Sequence, residues 1–119
     1  MFNPAEYRRM YARFLGPLSS EVTFMINNGT SFDDYAEPVF ARVTNWQESD
    51  LVPGGTIELG DLKLIIPVPD ILDTQPPFPR LELKDRIRIG GRAYSVIHWD
   101  EKTRSVGDYV IAVQVTVRG

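Results

Sequence analysis

Two alternating runs meet through a pair of glycines in Asp85-Arg86-Ile87-Arg88-Ile89-Gly90-Gly91-Arg92-Ala93-Tyr94-Ser95-Val96-Ile97-His98-Trp99. Successive side chains of a strand point to opposite faces of a sheet, so this alternation predicts half-buried strands. A two-residue turn between them needs positive φ, which glycine adopts without strain. The segment predicts a tight β-hairpin. Downstream, Tyr109, Ile111, Val113, Val115 and Val117 alternate with Val110, Ala112, Gln114 and Thr116, predicting one long final strand.

The same period runs through the first half. Val22, Phe24 and Ile26 alternate with Thr23, Met25 and Asn27, and Asn28-Gly29 then signals a turn. Val39, Ala41 and Val43 predict a second strand ending near Trp46, and residues 48–55 read as a loop. Thr56 to Leu59, Gly60-Asp61 and Leu62 to Ile66 suggest a hairpin. Its second arm is apolar on both faces, as in a doubly covered strand. Five prolines between Pro67 and Pro79 favour an extended chain without ladder bonds, so a loop around 67–80 is expected to project from the sheet or cross it.

Only the start of the chain departs from this period. Pro4 to Leu15 reads as a helix, with Asn3 as cap, Pro4 at the first turn and Gly16-Pro17 as the stop. Tyr7, Met10, Tyr11 and Phe14 make one apolar stripe at helical spacing. So short a helix needs a surface to dock on. Two destinations stay open: one end of its own barrel, or a neighbouring subunit. The fold expected is mainly β, a small barrel or sandwich with one N-terminal helix and a long Pro-rich loop. A chain of 119 residues holds one domain, with the helix in 1–18 and the barrel in 19–119.

The pattern excludes several function classes. No run of about 18 apolar residues is present to span a membrane, and the first residues lack the basic and apolar regions of a signal peptide. With no cysteine and one histidine, His98, neither a thiolate metal site nor a histidine cluster can form. No nucleophile elbow or phosphate loop accompanies His98, Gly54-Gly55 or Gly90-Gly91. Asp33, Asp34 and Glu37 cluster without a calcium-loop pattern and read as a solvated loop, as do Asp70 and Asp73. No enzyme, cofactor or metal is expected.

Charge is unevenly laid out. The net −3 divides into +2 over residues 1–18, −8 over 19–79 and +3 over 80–119, and ten of the thirteen basic residues are arginine. Acidic balance argues against a duplex-DNA binder. Unlike faces rich in arginine suit protein contacts. Arg86, Arg88 and Arg92, near Tyr94 and Trp99, are the most suggestive group. They fit an intersubunit salt-bridge surface, or an OB-like face that binds single-stranded nucleic acid by charge and stacking. Arg86, Arg88, Arg92, Pro76, Pro77, Phe78, Tyr7 and Tyr11 are therefore the candidate interface residues.

Three segments carry a family resemblance: Gly60-Asp61-Leu62-Lys63-Leu64-Ile65-Ile66-Pro67, Leu83 to Val96 around Gly90-Gly91, and Gly107 to Gly119. With the proline-rich spacer they resemble the head–tail connector proteins of tailed bacteriophages, of the head-completion or stopper type, which gene-transfer-agent particles also use. The resemblance covers residues 56–119. It implies a β-barrel virion protein that forms a ring in the neck, joins the DNA-filled head to the tail and helps retain packaged DNA. Its partners would be copies of itself, a portal-side adaptor and a tail-side ring, with DNA passing through or abutting the ring. Assembly would take place in the host cytoplasm. The helix and the acidic region 19–55 do not map onto the family, so a tail terminator or minor tail component is the alternative position.

Overall fold

A computed structural model describes residues 4–46, 51, 55, 57–58, 60–69 and 75–119. The helix α1 spans Pro4–Leu15 and tightens into a 3-10 turn over Gly16–Leu18. There Pro17 cannot continue the ladder, and Ser19 closes the turn by donating its N–H and hydroxyl to the Gly16 carbonyl. Asn3, expected as the cap, lies outside the described residues.

Among the described residues nine strands follow: β1 Ser20–Asn27, β2 Phe32–Asp34, β3 Val39–Asn45, β4 Leu62–Pro67, β5 Arg86–Ile89, β6 Arg92–Asp100, β7 Ser105–Val106, β8 Tyr109–Val110 and β9 Ala112–Arg118. The main sheet runs β1-β3-β4-β9-β6-β5, and β5 pairs back onto β1. The sheet is thus a closed six-stranded barrel, antiparallel at every seam. Of the two architectures left open by the sequence, the barrel is the one that forms.

The barrel consists of two three-stranded meanders, β1-β3-β4 and β5-β6-β9, joined along β4–β9 and β1–β5. In that ring order β4 and β5 lie on opposite sides. The connection between them must therefore cross one open end of the barrel. It does so with its apolar residues turned inward: Val68, Phe78 and Leu81 are buried in the main core beside Phe24, Leu64, Ile66, Ile87, Val96, Val113, Val115 and Val117. Phe78 meets the rings of Phe24 and Trp99 edge-on, with centroids 5.7 and 6.2 Å away. Of the two courses expected for this loop, projecting or crossing, residues 75–81 take the crossing one and form a plug, because an uncovered barrel end would expose this core to water. Residues 70–74 lie outside the described residues.

The strand phases follow the alternation. Leu62, Leu64 and Ile66 of β4 face the interior, while Ile65 faces out and is covered by α1 through Leu15, beside Ala112 and Tyr11. β4 is doubly covered, with the helix as its second layer. β3 is its hairpin partner. The described residues of the expected first arm, Ile57 and Glu58, form no strand, and Thr56 and Leu59 lie outside the described residues. The long final strand is interrupted at Ile111, whose N–H donates to the Arg104 carbonyl, and so the two parts differ in phase. The glycine turn forms as expected, with φ of 58° at Gly90 and 84° at Gly91.

Candidate functional site

The helix docks on the outer surface of β4 and β9, not on a barrel end, and by a different face from the one its apolar stripe predicts. Arg8, Tyr11 and Leu15 face the barrel. Arg8 is fully buried. Its Nε donates to the Val110 carbonyl at 2.9 Å and its guanidinium lies 5.9 Å from the centre of the Tyr109 ring. A buried guanidinium persists only where such partners replace water. Arg104 extends the contact by donating to the Tyr11 hydroxyl and to Gln114 Oε1, each at 3.3 Å. The rest of the stripe faces out: Tyr7 is 41% exposed, Met10 46% and Phe14 77%, and Leu18 and Phe40 are also exposed.

The three arginines separate. Arg86 and Arg88 lie on the outer face of β5, and both are engaged by β2. Arg88 Nη1 donates to Asp34 Oδ2 at 2.9 Å, and Arg86 stacks 4.9 Å from the centre of the Phe32 ring. Arg92 is in phase with Tyr94 and Val96 and sits at the opposite end of the barrel from the plug. There its guanidinium lies 5.2 Å from the centre of the Tyr94 ring, beside Gly119. The alternation that puts Arg86 and Arg88 on one face excludes Arg92 from it. Pro76 is half-buried and Pro77 exposed, while Phe78 is core, so its ring is not available to a surface contact.

His98 is exposed and Asp100 lies near it, but the Asp100 carboxylate is occupied in capping the following turn. Burial pushes that carboxyl up, and the hydroxyl and N–H of Thr103 with the N–H of Lys102 more than offset it, leaving its pKa lowered. Asp33 accepts from Asn28 Nδ2, Asp34 pairs with Arg88 and Glu37 is exposed. Among the described residues no three His, Asp or Glu side chains converge to hold a metal, and no helix is long and apolar enough to cross a membrane.

Sequence reasoning missed two buried carboxylates that set the ends of strands. Asp61 and Asp85 each close the same turn. The Glu58 N–H donates to Asp61 Oδ2 and the Asp61 N–H donates back to the Glu58 carbonyl. Glu82 and Asp85 repeat both bonds. The signal is Glu-Leu-x-Asp directly before a strand, at 58–61 and at 82–85. Asp85 also takes the Asn27 N–H at 2.9 Å, stitching β1 to the start of β5. Asp61 takes both arms of the Arg118 guanidinium at 2.9 Å, and this bidentate bond holds its carboxyl below the usual carboxylate range. A third pin fixes the plug: Glu101 is clasped by Arg80 Nε and Nη2 and by Trp99 Nε1, and the Arg80 guanidinium lowers its pKa.

The described surface offers three contact faces. One is the outward face of α1, another is the β2-engaged face of β5, and the third is the Arg92–Tyr94 end of the barrel. Compared with protein-family models, with curated proteins and with solved structures, the chain matches none.

Proposed function

We propose that this chain is a non-enzymatic structural protein that assembles as a ring in the neck of a tailed-phage-like particle, between the portal side and the tail. The observation that carries the reading is a spatial one. The three segments with connector-like sequence supply β4, the β5–β6 hairpin and β9, and these are four consecutive neighbours in the barrel, β4-β9-β6-β5. The resemblance thus follows one continuous sheet and not scattered strands. A ring subunit needs two unlike faces, because contacts around a closed ring are heterologous. The helix-bearing side over β4 and β9 and the β2-bearing side over β1 and β5 differ in chemistry and lie on opposite flanks. Its partners would be copies of itself, a portal-side adaptor and a tail-side ring, in the virion neck.

Single-stranded nucleic-acid binding is less well supported, since Arg88 is paired with Asp34 and Arg86 lies over Phe32. The test is negative-stain electron microscopy of the chain mixed with the portal and adaptor proteins encoded beside it. Stacked rings that require this chain are expected. No ring in any mixture, together with a salt-sensitive shift of labelled single-stranded DNA, would overturn the neck reading in favour of the nucleic-acid one.

A further inference from the structure

The turn that joins β1 to β2 holds the asparagine linkage most open to rearrangement. Of the four asparagines only Asn28 precedes glycine, while Asn3 precedes a proline that has no N–H. An asparagine side-chain amide is attacked by the backbone nitrogen of the next residue, and glycine has no side chain to obstruct that approach. Asn28, Gly29 and Thr30 are exposed, so water reaches them. Yet the reacting atoms are all engaged. The Gly29 N–H, whose nitrogen is the nucleophile, donates to Asn27 Oδ1 at 2.8 Å. Asn28 Oδ1 accepts from the Thr30 N–H at 3.1 Å, the Thr30 hydroxyl at 3.2 Å and the Ser31 N–H at 2.9 Å. Asn28 Nδ2 donates to Ser31 Oγ at 3.2 Å and to Asp33 Oδ2 at 2.9 Å. Attack takes the proton from Gly29 and makes Cγ tetrahedral, which draws Oδ1 and Nδ2 away from these partners. The closed hairpin therefore opposes the reaction.

We propose that Asn28 is a deamidation site gated by the β1–β2 hairpin, and that its conversion releases β2 from the arginines of β5. In the open hairpin the Gly29 amide loses its proton to solvent base and its nitrogen bonds to Asn28 Cγ. The Cγ–Nδ2 bond then breaks, and ammonia leaves with a proton from water. Water opens the resulting succinimide at the side-chain carbonyl to give aspartate, or at the main-chain carbonyl to give isoaspartate. Both products lose the Nδ2 donor. The aspartate sets a carboxylate beside that of Asp33, where like charges repel. The isoaspartate lengthens the main chain of the turn by one carbon, which the register Met25 with Asp34, Ile26 with Asp33 and Asn27 with Phe32 does not accommodate. That pairing carries Phe32 to Arg86 and Asp34 to Arg88. Conversion therefore uncovers both guanidiniums. The inference concerns the chain by itself and does not rest on the neck reading.

The test is peptide mapping by mass spectrometry of the full chain aged at mildly alkaline pH, both folded and in guanidinium chloride. Conversion at Asn28 is expected in guanidinium, and at least about ten-fold more slowly in the folded chain. Asp33→Ala removes one acceptor that holds the amide. It is expected to speed the folded reaction about three- to ten-fold and to leave the guanidinium rate unchanged. Asp33 is exposed, and an unchanged near-ultraviolet circular dichroism spectrum confirms that the barrel persists in this variant. Converted chains gain a negative charge and separate from unconverted ones by anion exchange. Phenylglyoxal, which reacts with accessible guanidiniums, is expected to label Arg86 and Arg88 faster in the converted chain, with the exposed Arg13 as internal reference. No conversion at Asn28 in guanidinium would overturn the site. A folded rate equal to or above the guanidinium rate would overturn the gate, since the three donors on Oδ1 would then be stabilising the oxyanion and not locking the amide. Equal labelling of Arg86 and Arg88 in the two forms would overturn the release of β2.

Discussion

Phe78→Ala tests whether the proline-rich connection is a plug. The ring is 8% exposed and packs edge-on against Phe24 and Trp99. Burying a phenylalanine side chain is worth about 1.5–3 kcal/mol, and the cavity left by truncation raises the cost of Phe→Ala to about 3–5 kcal/mol. The site lies at a barrel end, where neighbours can partly collapse, so about 3–4 kcal/mol is expected. For a chain of 119 residues the unfolding entropy of about 2.1 cal/mol/K per residue converts this into a fall in Tm of roughly 12–16 °C. The assay is urea denaturation followed by the fluorescence of Trp99 and Trp46, with calorimetry for Tm. Leu83→Ala, five residues on and 73% exposed, is the control and should move stability by less than about 0.5 kcal/mol. If Phe78→Ala behaved like Leu83→Ala, the ring would be projecting and the plug would be refuted.

Arg8→Met removes the buried guanidinium and leaves the Val110 carbonyl without its donor, at a cost of about 2–3 kcal/mol with loss of helical circular dichroism as α1 undocks; a fully helical variant of unchanged Tm would contradict the docking. Acid should weaken the fold through Glu101 and Asp61. Both carboxyls are held below their ordinary values of 4.5 and 3.8, so the stability they contribute is present above those values and is lost as pH falls through the lower folded ones. Glu101→Gln combined with Asp61→Asn is expected to flatten that dependence, and a pH–stability profile that keeps the wild-type slope below 4.5 would exclude these two groups as its source.

Side chains that obey the period-2 rule were legible, and those that depend on what covers the sheet were not. Val22, Phe24, Val113, Val115 and Val117 enter the core as their alternation predicts. The separation of Arg92 from Arg86 and Arg88 was also readable, since Arg92 shares phase with Tyr94. The helix misled because hydrophobicity alone favours Tyr7, Met10, Tyr11 and Phe14 as its docked face, and of these Tyr11 alone packs on the barrel cluster. The outer surface of β4, β8 and β9 instead offers a backbone carbonyl and an aromatic ring, which suit an arginine, beside the apolar residues Ile65 and Ala112. Phe78 lay hidden among prolines, whose local chemistry says extended but not inward. The Glu-Leu-x-Asp turns were present in the sequence twice, and their meaning lies in bonds to partners as distant as Arg118 and Asn27.

The seam that closes the barrel carries a kinetic consequence. β1 and β5 meet through pairs such as Val22 with Ile89 and Phe24 with Ile87, partners separated by more than half the chain. Each meander can form from neighbouring strands, but this ladder must wait until the connection carrying Phe78 has crossed the barrel end. Loop closure on that scale slows folding toward the millisecond-to-second range of all-β domains. The same ladder, last to zip, would be first to open, so the amide protons of Val22 to Met25 should exchange with solvent ahead of those along β4 and β9.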